Sequence, residues 1–115
     1  MSPRKITHFL QDMIEAIDAA EEFTHGQTFE DFEDDQKTIF AVSRAIEIIG
    51  EAAKQIPPEL CEQYKNVPWK EMAGMRDKII HHYFGINLKI LWNTVKTDLP
   101  RLKPQLTQIL KHLAS

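Results

Sequence analysis

The sequence predicts an all-α protein: one antiparallel bundle of four or five helices spanning residues 1–115. Three observations predict it. Apolar residues recur at three- and four-residue steps along nearly the whole chain, the period of a helix with one buried face. No stretch alternates apolar and polar residues, and no Asn-Gly or Asp-Gly pair offers a hairpin turn. The breaks between periodic stretches are short and carry proline, glycine or small polar residues, which suits helix-to-helix connections in a bundle.

The first periodic stretch places Ile6, Phe9, Leu10, Met13, Ile14, Ile17 and Ala20 on one face of a long amphipathic helix, and Gly26, flanked by Thr24 and Thr28, marks its end. The acidic run Glu30, Asp31, Glu33, Asp34, Asp35 predicts the opening of a second helix, because carboxylates are favoured at the positive end of the helix dipole. Ile39, Val42, Ile46, Ile49, Ala53 and Ile56 then recur at the spacing of a helix packed lengthwise on another. Gly50, in the middle of that helix, costs about 1 kcal/mol relative to alanine and points to close backbone packing. With the apolar stripe, it makes this helix a candidate dimer contact.

Pro57-Pro58 ends the second helix, and Pro58 can start a short one over Glu59 to Tyr64. Pro68 suits the first turn of a third helix from about Trp69 to Phe84, with Gly85 placed to stop it. Asn87 is a candidate N-cap for a fourth helix carrying Leu88, Leu91, Trp92 and Val95. Asp98 and Pro100 then predict a cap and restart, or a kink, before Leu102, Leu106, Ile109 and Leu113.

Composition bounds the function. A chain of 115 residues suits one domain with a modest core, so dimerisation is a natural way to bury more surface. A net charge of −3 argues against a surface that grips nucleic acid by charge alone, but leaves room for a small basic pocket. The single cysteine, Cys61, excludes an intrachain disulfide and has no activating neighbour in sequence. No stretch approaches the roughly 18 apolar residues of a membrane span. The N-terminal helix carries Arg4, Lys5, Asp12 and Glu15 rather than a signal-peptide core. A cytoplasmic protein with no membrane association is expected.

Chemistry-bearing residues concentrate in Met75-Arg76-Asp77-Lys78-Ile79-Ile80-His81-His82-Tyr83-Phe84-Gly85. A histidine can move protons near neutral pH, and a guanidinium is a planar fork for phosphate. Together they are the minimum kit for cleaving a phosphodiester without a metal. At 3.6 residues per turn, Arg76 and Tyr83 share a face, whereas Arg76 and His81 lie about 140° apart. The latter two converge only if the arginine curls over or if two subunits each contribute one. Asp77 is four residues before His81, placed to orient the imidazole or raise its pKa. His82 is an alternative base, and periodicity does not choose between the two.

The same residues have a structural reading: a histidine favoured at a helix C-terminus, an arginine paired on the surface, a tyrosine with a buried ring and a wet tip. Arg44, Glu47 and Glu51 lie near one face of the second helix, either as an intrahelical charge ladder or as support for Arg76 across the bundle. His8, His25 and His112 read as isolated surface residues. No Cys/His cluster or HExxH motif suggests a metal, and no glycine-rich phosphate loop suggests a bound nucleotide. No cofactor is expected.

The run from Arg76 to Tyr83 is an Arg-x4-His-x-Tyr pattern, and it resembles the HEPN superfamily, within it the HepT-like toxins of HEPN–MNT toxin–antitoxin pairs. The resemblance extends to Ala45-Ile46-Glu47-Ile48-Ile49-Gly50-Glu51-Ala52-Ala53, to Val67-Pro68-Trp69-Lys70-Glu71-Met72-Ala73-Gly74-Met75, and to Tyr83-Phe84-Gly85-Ile86-Asn87 with Leu91-Trp92. It implies a bundle that forms a homodimer, or a higher oligomer, with a composite cleft. It implies metal-independent endoribonuclease activity, with Arg76 holding the scissile phosphate and His81 transferring protons as the 2′-hydroxyl attacks. Tyr83 matches the tyrosine to which the MNT nucleotidyltransferase antitoxin transfers AMP, adding bulk and charge that repel an RNA backbone. Many HEPN motifs carry asparagine after the arginine where this chain has Asp77. An alternative implied by the same family is a catalytically silent module that binds a nucleotidyltransferase or nucleic acid.

Overall fold

A computed structural model describes residues 3–81 and 87–114. Among the described residues every regular element is helical, and the all-α bundle expected from the periodicity is what forms. Helix α1 (Pro3–Phe23) buries Leu10, Met13, Ile17 and Ala20 completely. It ends where the Thr24 hydroxyl donates to the Ala20 carbonyl at 3.0 Å and Gly26 takes φ +78°, a conformation glycine adopts at little cost.

The acidic run does not open one long helix. It is divided into α2 (Phe29–Glu33) and the start of α3 (Gln36–Lys54). Local side-chain hydrogen bonds make the division. Thr28 and Asp31 close a reciprocal capping box on α2, and Asp35 caps α3 by accepting from the Thr38 backbone N–H at 3.1 Å. The break lets α2 fold back and bury Phe32 in the core.

Helix α3 packs against both α1 and α5 (Trp69–His81), and α1 packs in turn against α7 (Leu99–Ala114). Val42, Ile46, Ile49, Ala53, Ile56 and Gly50 are all buried in these internal contacts. The stripe read as a candidate dimer contact is therefore buried within the chain's own core. The outward face of α3 instead carries Phe40, Arg44, Glu51 and Lys54.

Helix α4 (Pro58–Gln63) has its proline at the first position, where the missing N–H costs nothing. Helix α6 (Leu88–Asn93) is capped as expected, with Asn87 Oδ1 accepting from the Lys89 and Ile90 N–H groups. Asp98 and Pro100 produce neither a restart nor a cap. Thr94–Asp98 widens into one π-helical turn in which the Leu99 N–H reaches back to the Thr94 carbonyl, and the helix continues into α7. The widened turn relieves the clash that Pro100 would otherwise make with the preceding turn. Val95, Leu99, Leu102, Leu106 and Ile109 stay on the buried face across it.

Candidate functional site

Arg76, Asp77 and His81 of the motif lie on α5. Pro68 precedes the helix, the Met72 N–H bonds to the Pro68 carbonyl, and Met72 is fully buried, which anchors the first turn in the core. The helix runs unbroken from Trp69 to His81, so Arg76 and His81 share one helical segment. Five residues of regular helix separate their Cα atoms by about 7.5 Å along the axis and about 140° around it. Asp77, one turn before His81, is exposed. The side chains of Arg76 and His81, and His82 and Tyr83 altogether, lie outside the described residues, as does Gly85, the expected helix stop.

The entry to α5 is fixed by a hydrogen-bonded node at Tyr64. Its carbonyl accepts from the Trp69 indole nitrogen at 3.1 Å and from the Val67 N–H at 3.2 Å. Its hydroxyl meets His112 Nδ1 at 2.8 Å, with the two rings edge to face at 87°. The node ties the start of the motif helix to the last turn of α7. His112, read as an isolated surface histidine, thus has a specific partner. The two residues are 48 apart in sequence, and no local spacing rule connects them.

The exit from the motif segment leads to a second anchor, built on Trp92. Its ring packs on Phe32 with centroids 5.2 Å apart and on Phe29 at 6.2 Å. Lys96 lies 4.9 Å from the Trp92 centroid and donates to the Thr24 carbonyl at the end of α1, while Lys89 lies over Phe29 at 4.3 Å. Described elements thus hold the chain on both sides of residues 82–86.

On α3, Arg44 and Glu47 pair with each other at 3.1 Å, and the Arg44 side chain is 70% exposed. Lys54 and Glu51 form a second pair on the same helix at 4.0 Å. These pairs are intrahelical, as one of the two readings open from sequence has it; the other, support for Arg76 across the bundle, involves a side chain outside the described residues. Arg44, Ile48, Glu51 and Gln55 also border a groove of about 310 Å³ together with Phe9 and Asp12 of α1.

Cys61 is half-buried, and burial pushes its thiol pKa up, so it is not an activated nucleophile. Among the described residues no group of three His, Cys, Asp or Glu side chains is placed to hold a metal ion. No helix among them is long and apolar enough to cross a membrane.

Residues 13–109 match the family model described as ribonuclease HepT-like. The probable ribonuclease HepT of Thermococcus cleftensis is 52% identical over 103 residues, covering 90% of this chain and 94% of that protein. A protein of Methanocaldococcus jannaschii named for an inferred RNase activity is 41% identical over 113 residues, covering 98% of this chain and 93% of its own. A similarly named protein of Caldanaerobacter subterraneus subsp. tengcongensis is 44% identical over 103 residues, covering 90% and 92%. No solved structure gives a significant match. Matched over most of its length by the family model and by these relatives, the chain belongs to the ribonuclease HepT-like family of the HEPN superfamily.

Proposed function

We propose that this chain is a metal-independent endoribonuclease toxin of a type VII-like HEPN–MNT pair, acting in the cytoplasm. The observation that carries the proposal is the family match across residues 13–109, within which Arg76 and His81 occupy one unbroken helix. In the proposed reaction His81 accepts the proton of an RNA 2′-hydroxyl as its oxygen attacks phosphorus. Arg76 holds the charge that develops on the phosphoryl oxygens. The bond from phosphorus to the 5′ oxygen breaks, and the same imidazole returns the proton to that leaving oxygen. The products are a 2′,3′-cyclic phosphate and a 5′-hydroxyl.

The angular separation on α5 supports a site completed in a homodimer, where one subunit's imidazole faces the other's guanidinium. Asp77, four residues before His81, orients that imidazole. Tyr83 accepts AMP from a nucleotidyltransferase antitoxin, and the added phosphate repels the substrate backbone. A second reading, a silent module that binds the antitoxin or nucleic acid without cutting, is favoured only by Asp77, whose negative charge stands beside the proposed phosphate site.

The test is incubation of the purified chain with RNA in EDTA. Wild type is expected to cleave, leaving cyclic phosphate ends, and Arg76→Ala and His81→Ala to be inert. Full activity in His81→Ala discards this mechanism, and antitoxin binding with no cleavage favours the silent module. Intact mass after co-expression with an MNT-type nucleotidyltransferase checks the modification: AMP units on wild type and none on Tyr83→Phe are expected.

A further inference from the structure

The net charge of −3 conceals a strong segregation along the chain. Residues 3–35 hold ten acidic and two basic side chains, whereas residues 87–114 hold five lysines and arginines and a single acid, Asp98. Helix α7 contains no acidic residue at all. Part of this surplus is used internally. Lys89 lies over Phe29, Lys96 donates to the Thr24 carbonyl, and Lys103 pairs with Asp18, latching α6 and α7 onto α1 and α2.

Arg101 and Lys111 are not used in this way. Both are exposed, and neither has an ion-pair partner among the described residues. At 100° per residue, Arg101, Pro104, Gln108 and Lys111 fall on one outward face of α7, within about 80° of one another. That face borders a shallow groove of about 360 Å³ lined by Lys103, Pro104, Thr107, Gln108 and Lys111. The Thr107 hydroxyl spends its proton on the Lys103 carbonyl, which leaves its oxygen able to accept, and the exposed Gln108 amide can donate and accept.

We infer that this face of α7 is a tracking surface for the phosphodiester backbone of single-stranded RNA, engaging the substrate away from the motif helix. The inference rests on the ribonuclease reading for the identity of the polyanion. Charge complementarity favours it: an acidic N-terminal half repels a polyanion, and the acid-free helix attracts it. A membrane surface is disfavoured, because a helix lying in lipid needs outward apolar residues, and Leu102, Leu106 and Ile109 of α7 are all buried in the core.

The experiment measures binding of the full chain to a fluorescent 2′-O-methyl RNA of about 20 nucleotides by anisotropy across a salt series. That strand lacks the 2′-hydroxyl nucleophile, so binding is read independently of cleavage. The Arg101→Gln/Lys111→Gln variant is expected to bind at least about fivefold more weakly at low salt. Its slope of log affinity against log salt is expected to be shallower by about 1.4, or about 0.7 for each phosphate of a single strand that is no longer neutralised. A Lys37→Gln/Lys65→Gln variant of equal net charge is expected to bind as wild type does. Circular dichroism melts confirm that both variants are folded.

Equal affinity and slope in wild type and the α7 variant would overturn the inference, as would equal weakening in the control, or partition onto phosphatidylserine vesicles without RNA binding. If wild type binds the 2′-O-methyl strand through α7 yet cleaves no RNA, the ribonuclease reading fails and the surface stands. If wild type cleaves and the α7 variant binds normally, only the surface fails.

Discussion

The indole nitrogen of Trp69 donates to the Tyr64 carbonyl at 3.1 Å, joining the first residue of the motif helix to the connection that precedes it. Trp69→Phe keeps most of the ring but deletes the donor. A part-buried hydrogen bond of this kind contributes about 1 kcal/mol. Urea denaturation is expected to show a loss of that size with an unchanged m-value. A loss indistinguishable from zero would mean that the bond does not help fix where α5 begins.

Phe32 is completely buried and carries the short helix α2 against Trp92. Truncation to alanine removes a large apolar side chain and leaves a cavity, so Phe32→Ala is expected to cost about 3–5 kcal/mol. The damage should reach α6, because Trp92 loses its main neighbour. Hydrogen exchange of the Leu91 to Val95 amides, compared between variant and wild type, checks this.

Asp35 caps α3, and hydrogen bonds from the Thr38 side chain and backbone and from Gln27 hold its carboxyl pKa below the ordinary 3.8. The carboxylate is thus favoured by the fold. Its stabilising contribution is present above pH 3.8 and is lost as the pH falls below that value through the folded-state pKa. Asp35→Ala is expected to melt below wild type at pH 7, and the gap to narrow under acid. Thermal melts at pH 7 and pH 3 measure both. A gap that stays constant would show that the cap does not act through its charge.

Asp77 is exposed one turn before His81, and its two proposed effects oppose each other. Asp77→Asn removes a negative charge near the substrate, which is expected to lower KM roughly twofold at low salt, the scale of one exposed charge interaction. It also weakens the acceptor that orients His81, so kcat falls. Steady-state cleavage kinetics separate the two: a change confined to KM would leave Asp77 without an orienting role.

How much of the fold is legible in the sequence depends on the range of each interaction. The Asn87 cap, the Pro58 start and the apolar stripe of α1 are set within four residues and are readable directly. The division of the acidic run is not, because helix dipole and side-chain capping both favour acids there. The dipole predicts one long helix, and the pairs Thr28–Asp31 and Asp35–Thr38 prefer two. The π turn before Pro100 reads as a restart or kink because a proline signals interruption, while the buried Val95 and Leu99 reward continuity. Tyr64–His112 and Lys96–Thr24 join residues 48 and 72 apart, beyond any spacing rule. For the motif, the residue types suggest phosphoryl chemistry, and the ordered family resemblance supplies the assignment of Arg76, His81 and Tyr83. Packing supplies what neither gives, the direct contact of α3 with α5.

The most direct test is the single-turnover rate at which a defined RNA is cut in EDTA by wild type, Arg76→Ala and His81→Ala, with folding of each verified. Loss of a positioned acid–base group is expected to slow the reaction about 10²- to 10⁴-fold. Both variants should fall at least that far while wild type is unaffected by the chelator. Cleavage by either variant at the wild-type rate, or wild-type activity that vanishes with EDTA and returns with a divalent cation, would contradict the account.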